Sequence, residues 1–292
     1  MTKNRNRKPY KIWLIIGFII ITIIVFRLGA STGQSSPLSF GDKIGIVTLE
    51  GPIFSSRQVI YELNKMADRS DVKAIVFRIN SPGGTVAPSQ EIYEKIKTLN
   101  DRIPIIVSVG NLAASGGYYA ALESEKIVAN RGSIVGSIGV ILDYPVAVEL
   151  LDKIGLRFET LTSGDLKDAG SPTRPVTDKD RDFFQSVIND LHDQFIKAVS
   201  KGRSIEMSEV SKLADGRIFT GEQAIKLGLI DTIGTYEDAI QIAGEIAGIP
   251  GKPNTIQLRK ESKTIFDFLL GYAKQNIESW KSITPAYRWQ WE

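Results

Sequence analysis

Ser115 stands in NLAASGGYYAA (residues 111–121), just past the apolar stretch 103–109, in a chain with no cysteine and a single histidine. Two small residues, a serine and two glycines at a strand-to-helix corner are the usual construction of an exposed nucleophile. The start of the helix leaves backbone N–H groups free beside the hydroxyl, and the glycines let a substrate approach. Without a thiol the nucleophile must be a hydroxyl, and the general base is either His192 or another group, for which lysine is the known substitute. His192 falls inside a helical pattern on a polar stretch, between Leu191 and Asp193. It reads as a surface residue, because a base must reach its partner's proton.

A second glycine loop, SPGG (residues 81–84), follows another apolar run. Pro82, Gly83 and Gly84 call for a tight turn that exposes amide donors. If this loop faces Ser115, the N–H groups of Gly83 and Gly116 form an oxyanion hole, each donor contributing about 3 kcal/mol of transition-state stabilisation. Alone, Pro-Gly-Gly is a common turn and ASGG a packing motif. Their order, each at the end of an apolar strand, strengthens both functional readings. One histidine and no cysteine leave no credible zinc site, and the carboxylates lack calcium-loop spacing, so no metal or cofactor is expected.

The elements that must position these loops alternate in kind. Strand-like runs at 43–49, 74–79, 103–109, 126–129 and 138–142 are interleaved with helical patterns at 56–68, 90–99, 116–121 and 146–154. Residues 158–161 read as extended, 178–201 as a long amphipathic helix, and shorter helices follow to about 247. Apolar strands alternating with helices predict an α/β layer architecture rather than a sandwich or a bundle.

Composition narrows the function further. The net charge of +3 is concentrated at the start: residues 1–30 hold Lys3, Arg5, Arg7, Lys8, Lys11 and Arg27 and no acid, leaving 30 basic against 33 acidic residues elsewhere. A slightly acidic body gives nucleic-acid binding little support. Residues 12–26 form an apolar run behind five cations, which predicts a membrane element with its N-terminus in the cytoplasm and the rest on the outer side. The run is shorter than a comfortable span, so a cleaved signal peptide competes with a retained anchor; the anchor is the expectation, since no A-x-A pattern follows. The expected organisation is therefore 1–30 N-terminus and anchor, 31–42 linker, 43–250 catalytic domain and 251–292 C-terminal tail.

Several motifs in one order resemble a family: INSPGG (79–84), NLAASGGYYAA (111–121), GSIVGSIGV (132–140), SGDLKDAGSPTR (163–174) and DGRIFTGEQAIKLGLID (215–231). Together they resemble the signal peptide peptidase A type of membrane-anchored serine proteases, over roughly residues 43–247. The resemblance implies a Clp protease/crotonase-like fold of stacked β-β-α units. It also implies a Ser-Lys dyad of Ser115 and Lys167, Ser137 as the second serine that helps hold the lysine, and oxyanion donors from the region of Gly83 and Gly116.

The implied chemistry is acyl transfer, with neutral Lys167 taking the Ser115 proton and passing it to the leaving amine. An ordinary lysine near pKa 10.4 is a poor base at neutral pH, so the site must lower its pKa towards about 7–8. Asp165 and Asp168 flank Lys167 and would favour its ammonium form. Alternation along an extended loop turns Asp168 away but leaves Asp165 unexplained. Anchor and family together imply hydrophobic peptide substrates such as remnant signal peptides, added as a strand beside the SPGG loop, and a homo-oligomeric ring at the plasma membrane. The apolar and aromatic tail suggests docking on a neighbour, on the membrane interface or in the groove. An acyl-CoA enzyme on the same fold, with Ser115 incidental, and a non-catalytic membrane scaffold remain the alternatives.

Overall fold

The computed structural model describes residues 41–258 and 286–288. The expected membrane segment at 12–26 lies outside the described residues, and among those described no helix is long and apolar enough to cross a membrane.

The first strands explain the layering. β1 (Lys43–Glu50), β2 (Val72–Ser81) and β4 (Ile105–Ala114) are parallel neighbours in the order β4-β2-β1, and their side chains alternate between two apolar cores. Val47, Ile75, Phe77, Ile105 and Val107 face one core, whereas Ile44, Ile46, Ala74, Val76 and Ile106 face the other. Residues on one strand alternate faces with a period of two, so near-continuous apolar strands are what a sheet covered on both sides requires. The first core is covered by α1 (Arg57–Ala67), which buries Val59, Leu63 and Met66, and by α2 (Val86–Asn100), which buries Ile92, Ile96 and Leu99. The second is covered by α8 (Tyr236–Ile246), through Ala239 and Ala243.

At its far side the sheet divides. The first part of β4 pairs with β5 (Lys126–Ala129), which carries β8 (Thr232–Ile233) on its other edge. The last part of β4 pairs with β6 (Ile134–Gly136), which continues antiparallel into β7 (Ile218–Thr220). β9 (Asn254–Gln257) closes the opposite edge against β1, so residues read as the start of the tail complete the sheet.

Two expectations are corrected. The strand expected at 138–142 lies earlier, at Ile134–Gly136, because Gly136 and Ser137 both adopt positive φ (90° and 52°) and end it. Residues 158–161 form no strand; Phe158 and Leu161 are exposed. The segment between β6 and the long helix α5 (Asp178–Arg203) contains one short helix, α4 (Val148–Lys153), which buries nothing. α5 starts on a capping box of Thr177 and the buried Asp180, and its buried apolar residues, Phe195, Ile196, Ala198 and Val199, lie in its second half. Two short helices follow, α6 (Met207–Leu213) and α7 (Gly221–Lys226).

Candidate active site

Ser115 occupies the corner between β4 and α3 (Gly116–Ala121), with φ 52° and ψ −118°. A non-glycine residue there is strained and persists only where its surroundings hold it. The supports are visible. The Ser115 N–H donates to the Gly136 carbonyl at 2.7 Å, and the Tyr119 N–H donates to the Ser115 carbonyl at 2.8 Å. Tyr118 is fully buried and donates to the Leu229 carbonyl at 2.7 Å, while the Tyr119 ring meets Tyr93 edge-on and Phe195 at a tilt. Both tyrosines are buried on the helix that follows Ser115.

Ser115 is 1% exposed, and its Oγ is buried with no hydrogen-bond partner. A buried polar atom left unpaired costs free energy and calls for a functional explanation. The N–H groups of the first helical turn have no intrahelical acceptor, so Gly116 opens α3 with a donor beside that hydroxyl.

Register brings the second serine alongside. β4 and β6 run parallel with Ala114 opposite Gly136, so the next residues, Ser115 and Ser137, leave the sheet side by side. Both take φ 52°. Ser137 is buried, and its N–H donates to the Arg217 carbonyl at 2.8 Å, which attaches this corner to the residues leading into β7. Ser133 fixes the same strand pair through its Oγ, which donates to the Gly110 carbonyl at 2.6 Å.

The SPGG residues are placed by the same sheet. β2 pairs with β4 with Ser81 opposite Ala113, so the SPGG residues leave β2 at the same end of the sheet at which Ser115 leaves β4. The loop is not a bare turn: Gly83–Thr85 forms a short strand, β3. One of its edges is closed by Ile53, whose N–H donates to the Gly83 carbonyl and whose carbonyl accepts from the Thr85 N–H, both at 2.8 Å. A Cβ at Gly84 would lie 2.1 Å from the Ile53 carbonyl oxygen, so only glycine allows this approach. Gly83 has φ 93°, and its N–H reaches the Ser81 Oγ at 3.2 Å. The other edge of β3 carries β10 (Ala286–Arg288), antiparallel.

Lys167 is placed differently. It is exposed on a run of turns, its N–H donates to the Gly164 carbonyl at 3.0 Å, and no hydrogen bond joins it to the Ser115 hydroxyl. The two carboxylates that threatened its neutrality are engaged elsewhere. Asp168 accepts two hydrogen bonds from the Arg174 guanidinium, at 2.8 and 3.0 Å, and Asp165 pairs with Lys179 at 2.5 Å. Each partner's hydrogen bond holds its carboxyl below the usual carboxylate range. Arg174 also grips Asp180 in the first turn of α5, at 2.6 and 2.9 Å, so one guanidinium ties the Lys167 turn to the helix start. That role was available in the sequence, since Arg174 ends SGDLKDAGSPTR, but nothing local announces which carboxylates it takes.

His192 is half-buried rather than on the surface: its Nε2 is buried and unpaired on α5. It makes no hydrogen bond to Ser115. Among the described residues no group of three or more His, Asp or Glu side chains could hold a metal ion.

The sequence matches known proteins along most of this region. The profile of peptidase family S49 matches residues 97–249, and that of Clp protease matches residues 42–133. The provisionally named protease slr0021 of Synechocystis sp. is 42% identical over 217 residues, covering 74% of this chain and 78% of its own. The provisionally named protease MJ0651 of Methanocaldococcus jannaschii is 33% identical over 287 residues, covering 91% and 92%. The chloroplastic serine protease SPPA of Arabidopsis thaliana is 32% identical over 258 residues, 87% of this chain but 37% of that longer one. Among solved structures, a mutant ClpP1 of Listeria monocytogenes aligns over 66% of this chain and 93% of its own, with a TM-score of 0.47 and 18% identity.

Proposed function

The chain belongs to peptidase family S49 and is a serine protease, and from that premise we propose that Ser115 is its nucleophile and Lys167 its general base. The observation that carries the proposal is the buried, unpartnered Ser115 Oγ on a strained strand-to-helix corner. In the proposed reaction Ser115 attacks the scissile carbonyl as Lys167 accepts its proton. The oxyanion is held by the N–H groups of Gly83 and Gly116, and the leaving amine takes the proton before water hydrolyses the acyl-enzyme. Ser137, level with Ser115 in the strand register, is suited to receive the Lys167 ammonium as a second acceptor. Asp165 and Asp168 are engaged by other cations, Lys179 and Arg174, rather than by Lys167.

Substrate peptides are proposed to be hydrophobic, remnant signal peptides among them, and to add as a strand along β3. The cation-flanked apolar run at 12–26 supports a single-pass plasma-membrane anchor, cytoplasmic N-terminus and outward-facing protease domain. Exposed Val146, Leu150, Ile154, Phe158 and Leu161, on the segment that carries Lys167, support a homo-oligomeric ring whose contacts cover that segment and bring the lysine to Ser115.

The test is hydrolysis of a fluorogenic hydrophobic peptide by the full chain in detergent. Ser115→Ala and Lys167→Ala should both abolish turnover without changing folding or assembly, while His192→Ala keeps it. A Lys167→Ala protein as active as its parent overturns the dyad.

A further inference from the structure

Among residues 41–258 three arginines are partly or largely buried: Arg78, Arg174 and Arg203. Two of them hold carboxylates through paired N–H groups. Arg174 takes Asp168 through Nε and Nη2 and Asp180 through Nη1 and Nη2, and Arg203 takes Asp231 through Nη1 and Nη2. Arg78 takes none. Its Nη1 donates to the Ser108 hydroxyl at 2.8 Å and to the Val109 carbonyl at 3.1 Å, both neutral acceptors. The guanidinium lies against the Tyr236 ring, 5.2 Å from its centroid, and this contact helps to hold it in place. Nε and Nη2, the pair through which Arg174 holds Asp168, have no acceptor among the described residues.

A second unpaired group stands two residues along. Arg78 and Asn80 extend from the face of β2 that carries Ala74 and Val76, beyond the apolar residues that α8 covers. In the sheet register Arg78 lies between Thr48 of β1 and Ser108 of β4, and Asn80 lies opposite Glu50. The Asn80 Oδ1 is buried and has no hydrogen-bond partner. Turned end for end, the same amide presents its NH2 group there. Gly110 leaves the amide room, since a Cβ at that position would lie 3.2 Å from the Asn80 Cβ. Glu50 and Glu237, the latter beside Tyr236, are exposed, and neither pairs with Arg78. A partly buried charge is normally paired, and a buried polar atom normally has a partner. Here a guanidinium edge and an amide share one patch of the sheet and have neither.

We propose that Arg78 and Asn80 form a binding site for a carboxylate, received bidentately on the Nε and Nη2 edge with the Asn80 amide as a further donor. Two parallel N–H groups of one guanidinium match the two oxygens of a planar carboxylate, and the contacts to Ser108, Val109 and Tyr236 orient that fork in advance. Asn80 directly precedes SPGG, so an occupant sits where β2 leads into that loop. The carboxylate is that of a dissolved acid or of an acidic side chain on a second copy of this chain. The site takes no part in the Ser115–Lys167 chemistry and does not depend on it.

Thermal unfolding of the full chain in detergent, with succinate against sodium chloride of equal ionic strength, reads the dissolved source. Tm should rise saturably, by about 3–6 °C at about ten times Kd, in the parent and in a control with the exposed Arg57→Gln. Arg78→Gln should show no rise. Arg78→Lys, which keeps the charge but loses the fork, should show a smaller rise than the parent, and guards against a loss that reflects misfolding alone. Carbodiimide coupling of Arg78→Lys, in a mixture of isotope-labelled and unlabelled chains, reads the other source. The introduced amine should then link to an acidic side chain of the differently labelled chain, identified by peptide mass spectrometry. A succinate shift that requires Arg78 assigns the site to a dissolved acid, and a link between chains assigns it to a neighbouring copy; either result sustains it. Succinate shifts that are equal with and without Arg78, or absent from every version, overturn the site when no link between chains forms.

Discussion

Ser115 and Lys167 are held by opposite kinds of structure. The serine corner grows out of the sheet: β4 is buried along most of its length, α3 is entirely buried, and the strained backbone at Ser115 is fixed by hydrogen bonds to Gly136 and Tyr119. The lysine sits on a run of turns in a segment that leaves large apolar side chains in solvent, Leu161 being 93% exposed. Ties between that segment and α5 include the Arg174–Asp180 pair, the Asp165–Lys179 pair and the Tyr144–Phe184 ring contact. The proposed nucleophile is preorganised by the core of one chain, whereas the proposed base depends on short ionic tethers and on whatever covers its apolar surface. Strain at a backbone corner is sustained by packing around it; a side chain on an open run of turns is positioned by its few contacts.

The largest effects are expected where the two regions meet in chemistry. Ser115→Ala should lower kcat by at least about 10,000-fold, and Lys167→Ala by about 100- to 10,000-fold, both with unchanged thermal unfolding. A drop in Tm for Lys167→Ala would erase the contrast, by showing the lysine to be part of the folded core.

Gly84→Ala attacks the preorganised region directly. Its Cβ would meet Ile53 backbone atoms at 2.1–2.6 Å, so β3 must shift, with an expected cost of about 1–3 kcal/mol. Lower Tm and a higher KM for peptides should appear together. Normal Tm and KM would mean that Ile53 does not close that edge of β3.

Arg174→Ala tests the tethered region. It frees Asp168, which neighbours Lys167, and leaves Asp180 buried without its guanidinium. The carboxylate freed beside Lys167 is expected to lower activity at neutral pH about tenfold and to move the pH–rate profile to higher pH. Arg174→Lys, which cannot hold both carboxylates bidentately, should recover only part of it. An unshifted profile with reduced activity would limit Arg174 to a structural role. Acid should act on the same tether. The hydrogen bonds from Arg174 depress both Asp168 and Asp180. Their stabilising contribution is therefore present above the ordinary carboxylate range and is lost as pH falls below it.

Much of this organisation is legible in the sequence, and the failures have physical causes. β1, β2, α1 and α5 follow from apolar periodicity because burial dictates their pattern. β6 is displaced from the alternating Ile138, Val140 and Leu142 because a positive φ at Ser137, enforced by its contact with Arg217, ends the strand first. SPGG carries every local mark of a turn, and becomes β3 only because partners about 30 and 200 residues away lie along it. β9 is short, polar and largely exposed, so it offers no hydrophobic signal. At the site, Ser115 is announced by local composition, and Lys167 and Ser137 by resemblance alone. The Arg174 clamp is set by tertiary placement.

The smallest effect expected on the isolated fold is at the surface of the lysine segment. Leu161→Ser should change chain stability by less than about 0.5 kcal/mol. If assembly covers this segment, it should shift the oligomer towards smaller species in sedimentation velocity and reduce peptidase activity in parallel. An unchanged oligomer with full activity would place the covering contacts elsewhere.

The most direct test of the central claim is active-site labelling with a fluorophosphonate probe, mapped by peptide mass spectrometry on the parent chain and on Lys167→Ala. The account predicts a single adduct on Ser115 in the parent, forming faster as pH rises and absent from Lys167→Ala. An adduct on another residue, or labelling of Ser115 at the parent rate without Lys167, would contradict it.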